Sequence, residues 1–74
     1  MEWRKVASTS VFRVGYSAAT RVLGVEFVRG GRYEYLGVSD EEYAALMGAE
    51  SIGLHVNRHI KGRFEHRCCS GWAP

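Results

Sequence analysis

The sequence predicts a small α+β domain: a three-stranded antiparallel meander, one helix packed on that sheet, and a second short helix. Two observations support this fold class. Residues 11–36 contain three short runs of β-branched and aromatic side chains separated by turn-forming residues, which is typical of strands. After Ser39, apolar residues recur every three or four positions, which is typical of helices that pack on one side.

The three runs of strand-forming residues are 11–16, 21–28 and 33–36. In the second run, Leu23, Val25 and Phe27 alternate with other residues and so share one face of a strand. Gly30 and Gly31 separate the second and third runs and can adopt the positive φ that a tight hairpin turn requires. Consecutive short strands joined by short turns predict an antiparallel meander.

A capping box marks the start of the first helix. Ser39 is a good N-cap, and Glu42 stands three residues later, among acidic residues at the positive end of the helix dipole. The helix is expected to end near Ala49 and to pack on the sheet. Helix capping therefore explains these carboxylates without a catalytic role.

A second, shorter helix is predicted between Ser51, another good N-cap, and Gly62. Its apolar residues recur every four positions, at Ile52, Val56 and Ile60. Residues 66–74 show no period, and we expect them to form a loose tail beyond a core of about 7–64.

A chain of 74 residues has room for one hydrophobic core, so we expect a single domain over residues 1–74. A core this thin leaves little room for a deep ligand cleft of roughly 300 Å³ or more, which favours recognition at the surface. No stretch approaches the roughly 18 apolar residues of a membrane span. The adjacent Cys68 and Cys69 cannot close a long disulfide loop. We therefore expect a soluble, cytoplasmic protein.

Four motifs, in chain order, resemble those of the KTSC domain family. They are Val11-x-x-Val14-Gly15-Tyr16, Tyr33-Glu34-Tyr35, Ser51-x-Gly53 and Asn57-x-x-Ile60. The family consists of short modules found at the C-terminus of some lysyl-tRNA synthetases and as stand-alone bacterial and phage proteins. The resemblance covers roughly residues 7–64. The chain departs from the family pattern at Val38-Ser39, where a proline is usual, and at His55-Val56, where an aromatic pair is usual.

The resemblance implies a non-enzymatic binding module, with RNA as the suggested ligand. Tyr33 and Tyr35 are two residues apart in a strand, so both rings point to the same face, as in RNA binders that stack bases on a sheet. If that face instead packs under the first helix, the two tyrosines are core residues whose hydroxyls reach out to a hydrogen-bond partner. The sequence leaves both interpretations open.

The most basic stretch of the chain, residues 55–67, has four Lys or Arg residues against one Glu. Such a stretch can contact several phosphates, or it can be ordinary solvated surface. On the RNA interpretation, the tyrosines stack on bases, the cations contact phosphates, and Asn57 reads a polar group or ends a helix. The residues predicted to bind RNA are Tyr33, Tyr35, Asn57, Arg58, Lys61 and Arg63.

Protein docking is the alternative function. Trp3 and Phe12 are large apolar residues outside the predicted core, and exposed aromatic residues often anchor protein interfaces. The same residues could instead fold back over the sheet, because a small domain gains from each side chain that it buries. In this alternative the chain is a small phage or bacterial factor that docks on a larger host complex, as a monomer or a homodimer.

The chain contains weak candidates for metal ligands: His55, His59, His66 and Cys68. Their spacing matches no familiar zinc module, so we expect neither a metal nor another cofactor. The serines, cysteines and histidines also show no spacing that would assemble a nucleophile, a base and an orienting acid. The sequence therefore predicts a protein that is not an enzyme.

Overall fold

The computed structural model describes residues 2–68 as a five-stranded antiparallel sheet with helices packed on one face. The strands, in the same order in space as in the chain, are β1 (Glu2–Lys5), β2 (Val11–Ser17), β3 (Val22–Phe27), β4 (Arg32–Leu36) and β5 (His66–Cys68). The helical segments are α1 (Asp40–Met47), α2 (Ile52–His55) and a π-helix (Val56–Ile60). None of these helices is long and apolar enough to cross a membrane.

The predicted α+β class and the central meander are confirmed, but the sheet has five strands where the sequence predicts three. Trp3 of β1 pairs with Gly15, and His66 of β5 pairs with Tyr35. The prediction of a loose tail is wrong for residues 66–68, and residues 69–74 lie outside the described range. Strands of three or four residues are too short for an alternating pattern to be recognised, and charged residues are common on such edge strands.

Both predicted N-caps are confirmed. The Ser39 Oγ accepts a hydrogen bond of 3.2 Å from the Glu42 N–H, and the Ser51 Oγ accepts one of 3.2 Å from the Leu54 N–H. Helix α1 ends at Met47, slightly before the predicted end, because a glycine follows and glycine is a poor helix former. The two caps fix where each helix leaves the sheet.

The second helix widens halfway along its length. The Lys61 N–H donates a 2.8 Å hydrogen bond to the Val56 carbonyl, five residues earlier, which defines the π-helix. Ile52, Val56 and Ile60 are buried, as their spacing predicts. Lys61 then has an extended backbone, and Gly62 adopts a φ of 80°, which turns the chain back towards β5. The wider turn thus places Lys61 at the point where the chain leaves the helix.

The core lies between the helices and one face of the sheet. Its buried residues are Val11, Val14, Leu23, Val25, Tyr35, Val38, Leu46, Ile52, Val56 and Ile60. The register pairs Tyr35 with Leu23, and side chains two apart in a strand share a face. Tyr33 and Tyr35 therefore both lie on the face that the helices cover.

The opposite face of the sheet, hereafter the outer face, contains Trp3 and charged residues. The guanidinium carbons of Arg13 and Arg32 lie 5.2 Å and 5.4 Å from the centroid of the Trp3 ring. Arg13 also pairs with Glu26. Trp3 is half-buried by these contacts and packs on its own sheet.

Candidate functional site

An aromatic cavity of about 520 Å³ opens at the end of the sheet where β3 turns into β4. The loop before β2 and the end of the π-helix complete its walls. Six of its lining residues offer aromatic or cationic groups: Phe27, Arg29, Tyr33, Tyr35, Lys61 and His66. This volume falls in the range of sites for small ligands. The expectation that so short a chain leaves little room for a ligand cleft is therefore wrong for this domain.

Tyr33 stands at the centre of the rings in the aromatic cavity. Its centroid lies 5.7 Å from Phe27 at an interplanar angle of 71°, and 5.9 Å from His66 at 67°. Both are edge-to-face contacts, in which the edge of one ring meets the face of the other, and together they fix the orientation of the Tyr33 ring. Tyr33 is half-buried and lines the cavity, and no ring of residues 2–68 stacks on it in parallel, so the exposed part of its ring can contact a ligand.

The cations at the aromatic cavity make its mouth electropositive. The Lys61 Nζ lies 5.0 Å from the centroid of the Phe27 ring, and Arg29 lines the wall beside the Gly30 turn. No carboxylate of the described residues lines the cavity. A flat anionic ligand would therefore find rings to stack on and cations to pair with in one place.

The predicted platform of two tyrosines is divided between the core and the cavity. Tyr35 is only 3% exposed, and burial, with a smaller effect from the neighbouring Tyr33, raises the pKa of its hydroxyl. Tyr35 therefore matches the core interpretation of the sequence and forms a wall of the cavity. Tyr33 is the member of the pair whose ring stays partly exposed in the cavity.

The predicted basic residues do not form one face with the tyrosines. Of the three cations, Lys61 lines the aromatic cavity, whereas Arg58 lines a separate recess of about 200 Å³. Arg63 lies 3.6 Å from the Glu42 carboxylate, which neutralises part of its charge. Asn57 is exposed on the π-helix and does not line the cavity. Only Lys61 therefore joins the tyrosines.

The candidate metal ligands are separated in the fold. His55 and His59 lie close together, with ring centroids 4.7 Å apart, whereas His66 lies on β5 beside the tyrosines. The side chain of Cys68 lies outside the described part of the structure. Within that part, no group of three or more His, Cys, Asp or Glu residues could hold a metal ion.

The sequence prediction of binding residues omits three residues that line the cavity. Phe27 shares the strand face of Leu23 and Val25, and pairing across β3 and β4 would have pointed to it. Arg29 is the second residue after the end of β3, which places it at the turn. His66 belongs to a strand of three residues without a visible pattern. Such cross-strand neighbours become evident only once the register is known.

The residues proposed for protein docking differ in exposure. Phe12 is 42% exposed and lies where the register between β2 and β3 shifts, because a β-bulge interrupts their pairing. Bulges of this kind redirect side chains. Lys5 lies 5.5 Å from the centroid of the Phe12 ring. Phe12 is thus the more accessible of the two candidates.

Comparison with known proteins gives relatives that match most of the chain. A protein of Tsukamurella paurometabola is 37% identical over 59 residues, covering 80% of this chain and 88% of the relative. An uncharacterized protein of Stutzerimonas stutzeri is 39% identical over 54 residues, covering 73% and 76%. A lysine–tRNA ligase of Nostoc punctiforme is 34% identical over 61 residues, which cover 82% of this chain but only 11% of the ligase.

The fold also matches a solved structure. The crystal structure of a KTSC domain protein from Yersinia pestis is similar with a TM-score of 0.88 and 33% sequence identity, covering 90% of this chain and 94% of that one. The family model of the KTSC domain matches residues 7–64. Since this match spans most of the chain and includes the sheet from β2 to β4 and all the helical segments, the chain belongs to the KTSC domain family.

Proposed function

We propose that this domain binds single-stranded RNA without catalysis and takes one unpaired base into the aromatic cavity. The observation that supports this best is the combination of a partly exposed Tyr33 ring with Lys61 and Arg29 at the same opening. RNA binders commonly stack unpaired bases on aromatic side chains and pair the backbone with cations.

The proposed binding mode assigns one task to each part of the cavity. The base stacks on the exposed part of the Tyr33 ring, which edge-to-face contacts with Phe27 and His66 hold in place. Lys61 and Arg29 contact the phosphates beside the base. Stacking of one base contributes about 1–3 kcal/mol, so a single cavity gives modest affinity and little sequence preference.

One relative supports an RNA ligand. The lysine–tRNA ligase of Nostoc punctiforme contains a segment similar to most of this chain, within an enzyme whose name specifies tRNA. An RNA-binding accessory domain would fit that setting, and a cytoplasmic location would follow from it. The same domain occurring as a short separate protein, as in Tsukamurella paurometabola, fits a module that binds by itself.

Fluorescence anisotropy with labelled single-stranded RNA and labelled transfer RNA tests the proposal, at low salt and at about 0.2 M salt. We expect Tyr33→Ala to weaken binding about tenfold or more, because it removes the stacking surface. We expect Lys61→Gln to weaken binding and to lower the salt slope by about 0.7, the share of one phosphate contact on a single strand.

Arg58→Gln is the matched control, because it removes the same charge three residues earlier in the chain, at a position outside the aromatic cavity. It should change affinity by no more than about twofold. Circular dichroism should show each variant folded. Equal losses for Lys61→Gln and Arg58→Gln, with no effect of Tyr33→Ala, would contradict binding in the cavity. No binding at low salt would contradict an RNA ligand altogether.

Protein docking through Phe12 is the second candidate function, and the exposed ring at the β-bulge favours it. Contacts to such an anchor are apolar, so binding should persist at high salt. A protein captured in salt-resistant fashion by the wild type and lost with Phe12→Ser, combined with failure of the RNA titration, would favour this candidate.

A further inference from the structure

The strand β1 has an edge that no other strand of the described residues pairs with. At the end of β1 the Val6 N–H donates to the Phe12 carbonyl at 3.2 Å, so this pair is hydrogen-bonded. Bonded pairs alternate along an antiparallel ladder, which makes Arg4 and Glu2 the next residues bonded to β2. The backbone N–H and carbonyl groups of Trp3 and Lys5 therefore point away from the sheet.

We infer that this edge binds β1 of a second copy of the same chain, antiparallel, with Trp3 of each copy opposite the other. Two copies would then form one continuous sheet around a twofold axis that passes between the two Trp3 backbones. The inference does not depend on RNA binding, because the aromatic cavity lies on the helix-covered side, at β3 and β4.

Two geometric rules restrict the register of such a pair. Opposed residues must lie on the same face of the joint sheet, and the outward backbone groups of one strand must oppose those of the other. Trp3 satisfies both rules when it opposes Trp3 of the second copy. Moving one copy by two residues in either direction also satisfies them, so charge has to select among these three registers.

The charges on β1 favour the register centred on Trp3. In that register Glu2 opposes Arg4 of the second copy, and the same pair occurs again by symmetry. Moving the copies by two residues opposes either Glu2 with Glu2 or Arg4 with Arg4, and like charges directly opposite destabilise a sheet. Both side chains are exposed, and neither has an ion-pair partner among residues 2–68.

The contact is also suited to a close approach. The Glu2 and Arg4 positions form non-hydrogen-bonded pairs across the new interface, the arrangement in which opposed side chains lie closest. Trp3 is held over its own sheet by Arg13 and Arg32, so its ring does not block the edge. An interface of four residues per strand is small, and we expect a weak dimer that depends on concentration.

Sedimentation equilibrium over about 10 µM to 1 mM, the range in which small interfaces dissociate, measures this dimer. Glu2→Arg and Arg4→Glu each place like charges across the axis twice, so each should weaken association about tenfold or more. The double variant Glu2→Arg/Arg4→Glu exchanges the charges and should restore association to within about threefold of the wild type.

Glu65→Arg is the matched control, since it changes the net charge as Glu2→Arg does at an exposed site away from β1. It should leave the dissociation constant within about twofold of the wild type. A wild type that stays monomeric across the range would overturn the inference. A dimer that all four variants leave unchanged, or one that the double variant fails to restore, would also overturn it.

Discussion

Tyr16 and Tyr33 lie at opposite ends of the layer between the sheet and the helices, and they make different kinds of contact. At the Tyr16 end, the ring of Tyr16 stacks on Tyr43 at 4.6 Å and 9°, and its hydroxyl donates a 2.6 Å hydrogen bond to the Val38 carbonyl. At the Tyr33 end, the ring makes edge-to-face contacts with no parallel stack on a described ring, and its hydroxyl has no hydrogen bond to a described residue. The contacts around a tyrosine, more than its place in a motif, therefore separate a structural role from a binding role.

The largest expected effect is on stability at the Tyr16 end. Tyr43→Ala removes the ring that stacks on Tyr16 and leaves a gap beside α1. We expect the free energy of unfolding to fall by about 2–4 kcal/mol, measured by urea denaturation. Leu54→Ala truncates a side chain that is 52% exposed and should cost less than about 1 kcal/mol. If the two variants lose the same free energy of unfolding, the Tyr16–Tyr43 stack contributes no more to stability than an exposed leucine side chain.

The next effect tests how α2 is held against the wall of the cavity. A Cβ at Gly53 would lie 2.2 Å from the Ser10 Oγ, and Ser10 lines the aromatic cavity. Gly53→Ala should therefore lower the free energy of unfolding by about 1–3 kcal/mol, because the Ser10 side chain must rotate away or the loop that carries it must move. Adding Ser10→Ala removes the clashing oxygen, and the double variant should recover most of the loss in the same urea assay. If the stability losses of the two single substitutions simply add in the double variant, the clash with Ser10 is not the cause.

Removing one hydroxyl oxygen compares the two ends directly. Tyr16→Phe leaves the Val38 carbonyl without its donor and should lower stability by about 0.5–1.5 kcal/mol. Tyr33→Phe removes a hydroxyl without a bond to a described residue and should change stability by less than about 0.5 kcal/mol. If the two variants lose equal stability, the proposed difference between the ends is wrong. Urea denaturation of both proteins decides the question.

The sequence predicts the parts of this fold that have a local signal. The three central strands show strand-forming runs of residues, and Ser39 and Ser51 are caps whose bonds form as expected. The strands β1 and β5 have no such signal, because an edge strand of three or four residues gains its stability from pairing with a neighbour. The π-helix is equally invisible in a pattern that repeats every four residues.

The candidate site is predicted only in part, for a related reason. Tyr33 and Lys61 are recognised from the central motif and the basic stretch, and both line the aromatic cavity. Arg58 belongs to the same basic stretch but lies at a different recess. The position of a charged residue in the sequence does not show which way its side chain points in the fold. The wider π-turn also shifts the residues that follow it relative to a regular α-helix.

The smallest expected effect is the pH dependence of stability that arises from His55, a residue away from both Tyr16 and Tyr33. The Nε2 atom of His55 is buried and has no hydrogen-bond partner among the described residues. Burial, and to a smaller extent the neighbouring His59, lowers the pKa of His55, while Glu42 acts in the opposite direction. As pH falls, the unfolded chain takes up this proton before the folded one does, since the ordinary pKa of histidine is about 6.5.

Stability from this group should therefore be fully present above a pH of about 6.5 and should decline as pH falls below it. Urea midpoints at about pH 7.5 and about pH 5.5 measure the decline, and His55→Gln should reduce it because the new side chain does not titrate. Arg58→Gln, an exposed neighbour on the same helical segment, should leave the decline as it is in the wild type. An unchanged decline in His55→Gln would assign the pH dependence to other groups and leave the buried His55 nitrogen without a thermodynamic role.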